Sequence, residues 1–206
     1  MNSFILLMYR FLAAINFVPK SLSEKNRRLN EWHVDLLKRD SFIEDQNTLS
    51  CIKIGKKDIA FCGCGVVAVY NILLSIKKRI NPSELFKIVE AFEKKGLAVR
   101  GHFGISPVSI RKYLENSGFN VIYTASDKEG ELDDFGNKCS KFICTIFHNN
   151  KSLKSGIHHI AVIKNSDGHF ETHNPYKVSD TLSGAIKSAA MYNGSALYTI
   201  GIKNNE

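Results

Sequence analysis

Phe61-Cys62-Gly63-Cys64-Gly65 runs directly into Val66-Val67-Ala68-Val69-Tyr70-Asn71-Ile72-Leu73-Leu74-Ser75-Ile76 and halts at Lys77-Lys78-Arg79. From Val66 to Ile76 the chain is almost continuously apolar and too long for an ordinary strand, so it reads as a buried central helix. The basic triplet complements the negative end of a helix dipole and marks its C-terminus. At the other end an irregular, glycine-flanked turn delivers Cys64 to the helix start. There the positive end of the dipole and the unpaired backbone N–H groups favour a thiolate and lower its pKa. The same N–H groups can hold an oxyanion. A small buried core cysteine is the alternative, but burial does not account for the two glycines.

Downstream of this helix, Asn81-Pro82 supplies an N-cap and a first-turn proline, and Leu85, Ile88, Val89 and Phe92 have the spacing of one buried face until Gly96. Ser106-Pro107 repeats the device, with Ile110 and Leu114 inward and Gly118 at the end. The periodicity then changes to that of strands: Phe119–Thr124, Phe142–Phe147, Ile157–Lys164, His169–His173 and Ala196–Ile202. Asn165-Ser166-Asp167-Gly168 is a turn that folds two of them into a hairpin. The acidic stretch Asp127–Asp134 reads as a loop, and Ser183–Met191 as an insertion with helical character. Helices first and antiparallel strands afterwards predict a two-layered α+β domain.

Upstream, Phe4–Val18 is apolar except for Arg10 and Asn16. It falls short of the roughly 20 apolar residues a membrane span needs and lacks the basic region of a signal peptide. It reads as a packed or interfacial helix ended by Pro19, and residues 4–18 are the segment through which peripheral membrane contact is expected. Leu22–Leu37 carries a second amphipathic pattern through Leu29, Trp32, His33, Leu36 and Leu37. Residues 1–50 are therefore expected to be a helical extension and residues 51–206 the catalytic domain.

With 206 residues and 44% hydrophobic content, the chain has the size and apolar material of one domain. Its net charge of +8 raises nucleic acid as a partner. The basic residues, however, gather at helix ends such as Lys77-Lys78-Arg79 and Lys94-Lys95, without interleaved aromatics or a binding motif, so no nucleic-acid partner is expected. Five cysteines in an irregular pattern (Cys51, Cys62, Cys64, Cys139, Cys144) argue against a secreted disulfide framework and for a reducing, cytoplasmic setting. One residue separates Cys62 from Cys64, less than the spacing of a zinc-binding pair, so neither metal nor cofactor is expected.

His158-His159 opens the strand that continues Ile-Ala-Val-Ile, and alternation sends one imidazole to each face of the sheet. Only one can face a cleft; a solvated strand end is the alternative for either. A strand-borne histidine beside the cysteine could take its proton and return it to a leaving amine. Asn174-Pro175 ends the next strand, where a carboxamide could accept the imidazole N–H and fix its tautomer, or be plain turn chemistry.

Taken together, Cys64-Gly65-Val66-Val67-Ala68 with Asn71 and Leu73 resembles the nucleophile motif of the papain-like clan, in particular cysteine peptidase family 39. That family includes the double-glycine leader-peptidase domains of bacteriocin exporters. His159-Ile160-Ala161-Val162-Ile163 resembles the family's histidine strand and Asn174-Pro175 its Asp-Pro motif, over roughly Asp58 to Tyr176. The resemblance implies a papain-like fold with the nucleophile at the start of a central helix packed on a C-terminal antiparallel sheet. It also implies a thiol peptidase acting on a peptide or protein through Cys64, His159 as base, with His158 facing away, and Asn174. Two positions depart from the pattern. Asp58 stands where the family places an oxyanion-donating glutamine, six residues before the cysteine, and an ionised carboxylate there would repel an oxyanion. Asn174 replaces aspartate, as asparagine does in papain. An acyltransferase with the same triad, or a degenerate peptide-binding member, would carry the same residues.

Overall fold

The structure is a computed structural model that describes residues 2–15, 18–37, 40–148, 156–190 and 194–203. Asn16, Phe17 and Met191, which fall in segments read above, lie outside the described residues. The N-terminal half is helical: α1 (Asn2–Ala14), α2 (Lys20–Glu31), a short hairpin β1 (Lys53–Ile54) and β2 (Lys57–Asp58), α3 (Ile59–Cys62), α4 (Cys64–Lys77), α5 (Ser83–Lys94) and α6 (Pro107–Asn116). There follow β3 (Val121–Thr124), α7 (Glu129–Gly136), β4 (Lys141–Phe147), β5 (Ile157–Lys164), β6 (Phe170–His173), β7 (Lys177–Ser179), α8 (Leu182–Ala189) and β8 (Ser195–Ile202). The architecture is α+β, with an antiparallel sheet in the order β3-β8-β4-β5-β6-β7.

Helix α4 is buried from Cys64 to Leu74 because it has no polar face to offer water. It packs on one face of the sheet, where Ile143, Ala161, Tyr198 and Ile200 join its core. The opposite face, with Phe142, Cys144, Ile146, Ile160 and Val162, is covered by α7 and α8 through Leu132, Phe135, Leu182 and Ile186. The acidic stretch expected to be a loop is therefore helix α7 in large part. Glu129 and Glu131 occupy its first turn, where they complement the dipole, while Leu132 and Phe135 provide the buried stripe.

Described residues among the first 50 pack against the rest of the chain. In α1, Ile5 and Tyr9 are buried against Ala98 and Leu197, whereas Phe4, Leu7 and Phe11, and Ile15 just past the helix end, are exposed. Among the described residues no helix is long and apolar enough to cross a membrane. Helix α2 docks through buried amides. Asn30 exchanges two hydrogen bonds with the backbone of Lys53 at 2.7 and 2.9 Å, and Asn26 donates to the buried Glu93 carboxylate at 2.6 Å. Leu37 and Leu49 belong to the α4 core.

Candidate active site

Gly63 leads into α4 and cannot carry a side chain, because a Cβ there would lie 2.6 Å from the Ile59 Cα. That close approach puts Cys64 at the first position of the helix, as the glycine-flanked turn predicts. All five cysteines are free, and Cys64 is buried, only 6% exposed. Its sulfur takes backbone N–H groups from its own helix start, at Cys64 and Gly65, and from His159. The last is accessible because β6 joins β5 only from Ala161 onward, leaving the edge of β5 open at residues 158–159. These N–H groups favour the thiolate, yet burial outweighs them and pushes the thiol up to about 11. The lowered pKa expected from the helix start is therefore reversed: in its resting state Cys64 is a neutral thiol.

Cys64 lines a cavity of about 1130 Å³ together with His158, Gln46, Asn47, Asn174 and Tyr9. The imidazole that reaches this space is His158, not His159. Alternation along β5 puts His159 on the α4 face with Ala161, where it is fully buried. Its Nε2–H donates to the Ile105 carbonyl at 2.9 Å, and its Nδ1 accepts from the Thr145 hydroxyl at 3.0 Å. Both ring nitrogens are thus spent inside the fold, and burial lowers its pKa to about 4. His158 keeps one nitrogen uncommitted by this network: Nε2–H donates to the backbone carbonyl of Asn174 at 2.6 Å, which leaves Nδ1 as the basic atom. The His148 ring stacks beside it at 5.5 Å between centroids. Burial also lowers the pKa of His158, so it is a neutral imidazole at pH 7.

Asn174 reaches the site in a different way from the one its sequence suggests. It holds the histidine with its main-chain carbonyl, while its carboxamide is paired with Gln46 through both Oδ1 and Nδ2. Its backbone is left-handed (φ 67), a region that asparagine tolerates better than most residues. The Asn-for-Asp departure has a local reason. A carboxylate could accept the Gln46 N–H but would face the Gln46 Oε1 with no proton to offer.

Asp58 does not line the cavity. Its carboxylate caps α3, accepting the Phe61 N–H at 3.0 Å, and lies 3.9 Å from the Lys53 ammonium. The expected conflict with an oxyanion is therefore absent. Asp58→Asn is expected to leave Cys64 reactivity unchanged, whereas Asp58→Ala removes the cap and costs about 1 kcal/mol, read as a shift in the urea midpoint.

No family model, curated protein or solved structure matches this chain. The site residues that escape sequence reading come from residues 1–50: Tyr9, from a helix that looks like an appendage, and Gln46, from a polar stretch without periodicity. Burial and the nearby Cys64 push the Tyr9 phenol up to about 12, so it stays protonated and can donate into the cavity. Nothing local distinguishes Gln46 from any other loop glutamine. Among the described residues there is no group of three or more His, Cys, Asp or Glu that could hold a metal ion.

Proposed function

We propose that the protein is a papain-like cysteine peptidase with Cys64 as nucleophile and His158 as general base. The observation that carries this is the shared cavity: a cysteine at a helix start and a histidine whose far nitrogen is fixed by the Asn174 carbonyl line one space. The motif order over residues 58–176 resembles that of family 39, with the histidine role given to His158, one position before the residue that the resemblance implies. In the first step the Cys64 sulfur bonds to a peptide carbonyl carbon as its proton passes to His158 Nδ1. The oxyanion is met by N–H groups at the start of α4 and by the Tyr9 phenol. Collapse breaks the C–N bond, and the imidazolium protonates the leaving amine. Water then attacks the thioester, giving its proton to Nδ1, and the released thiolate takes that proton back.

Because both partners rest neutral, proton transfer accompanies attack. The pH profile of Cys64 alkylation by iodoacetamide should therefore have two features. The rate should fall at acid pH as His158 becomes protonated, below the ordinary imidazole range because burial holds its pKa down. Above that it should hold a plateau and rise again only as the thiol itself ionises toward pH 11. Cys62, with its thiol pushed up to about 12, serves as the internal reference. A profile without the acid limb, or Cys64 reacting no faster than Cys62 at neutral pH, would overturn the assignment. Intact-mass detection of an acyl-enzyme with a peptide library, followed by release of a free carboxylate, separates a peptidase from an acyltransferase or a binding-only protein.

A further inference from the structure

We propose that Gln46 is the positioning residue of the Cys64–His158 pair, a role that rests on the peptidase reading above and adds a residue from the N-terminal 50 to it. The segment carrying Gln46 is pinned to the nucleophile helix. Asn71, fully buried in α4, accepts the Ile43 N–H at 2.9 Å and donates to the Ile43 carbonyl at 3.0 Å. Three residues on, Gln46 makes three hydrogen bonds with no redundancy. Its backbone N–H donates to Asn174 Oδ1 at 3.1 Å, its Oε1 accepts from Asn174 Nδ2 at 2.9 Å, and its Nε2 donates to the Ala60 carbonyl at 2.8 Å. Ala60 lies in α3, four residues before the nucleophile. Glu44 supports the same turn, taking the Asn174 N–H at 3.4 Å and the His173 Nδ1 at 2.7 Å.

The consequence is mechanical. The carbonyl that orients His158 belongs to a residue in a left-handed conformation, which is disfavoured for any residue other than glycine and persists where surrounding bonds hold it. Gln46 supplies two of those bonds and ties them to the approach to Cys64. The strap at residues 43–46 thus fixes both partners against one frame, α4, although they lie 94 residues apart in sequence (Cys64 to His158). A displacement of about 1 Å at such a pair can cost 10²-fold in rate.

The test uses the full chain and iodoacetamide as probe, reading Cys64 alkylation by mass spectrometry across pH 4 to 9. Among the described residues the titratable groups around His158 are His148 stacked beside its ring and His159 next to it in the strand, and the cavity it lines also carries Tyr9, Glu44, Asp45, Cys62, Cys64 and His102. Gln46→Ala is expected to lower the plateau rate about 10- to 100-fold. Gln46→Glu keeps an acceptor for Asn174 Nδ2 but brings a negative charge toward the imidazole, so the acid limb should move up by about one pH unit. A glutamine with no positioning role would leave the plateau of Gln46→Ala at the wild-type rate, while the limb shift of Gln46→Glu reports only that position 46 lies near the imidazole. Wild-type plateau and limb in both variants, while His158→Ala abolishes the limb, would sink the role of Gln46 alone. If His158→Ala itself reacted like wild type, the peptidase reading would fall first. Should Gln46→Ala fail to fold by circular dichroism, the plateau of Gln46→Glu, which loses the Nε2 donor to the Ala60 carbonyl, decides: lowered supports the role, unchanged overturns it.

Discussion

Replacing Cys64 with alanine is expected to reduce turnover of any peptide that acylates the enzyme to background, on the order of 10⁶-fold, as loss of a nucleophile does. The fold should survive. Cys64 is buried yet lines the cavity, and its sulfur takes N–H groups that also belong to the helix start. Melting and far-ultraviolet circular dichroism should therefore stay close to wild type, while the acyl-enzyme mass disappears. Cys62→Ala is the control. Its thiol contacts the Asp58 carbonyl at 3.5 Å within α3, so its loss should leave turnover nearly intact. Activity surviving at Cys64→Ala and vanishing at Cys62→Ala would reverse the assignment.

The second large effect divides the two adjacent histidines by kind. His158→Ala should lower turnover by at least ~10²-fold with little change in stability, because its ring serves the cavity. His159→Ala should do the opposite. It leaves the Thr145 hydroxyl and the Ile105 carbonyl without a partner and opens a void beneath β5, at a cost of about 2 to 4 kcal/mol in urea unfolding. His159 also makes stability pH-dependent with a defined sign. Its pKa is about 4 when folded and about 6.5 when unfolded, so between those values the unfolded chain binds a proton that the native state refuses. Its contribution is complete above pH 6.5 and is lost as pH falls toward 4, amounting to about 3 kcal/mol. In His159→Ala that part of the acid slope should vanish. If His159→Ala abolished turnover at unchanged stability, the roles assigned to the pair would be exchanged.

The α+β architecture and the place of Cys64 at a helix start could be read from the chain because both rest on local patterns. An apolar run with no polar face can only be a buried element, Gly63 and Gly65 frame the turn before it, and the period-two segments after Gly118 supply the antiparallel strands. Helix α7 escaped because four acidic residues obscured a stripe of only Leu132 and Phe135. The histidine pair marks the limit of such reading. Strand alternation requires that one imidazole face each side of the sheet, but it is the packing against the α4 face, with Ile105 and Thr145 holding the ring, that encloses His159 and leaves His158 at the cavity. Asn174 was recognisable as a site residue, yet whether its side chain or its carbonyl holds the histidine depended on Gln46, 128 residues away. Residue type and spacing determine which elements form and where a cysteine meets a helix dipole, because those are short-range matters of periodicity and backbone geometry. Which side chains meet across the cavity, and whether burial or the dipole governs the Cys64 proton, depends on long-range packing that no local pattern encodes.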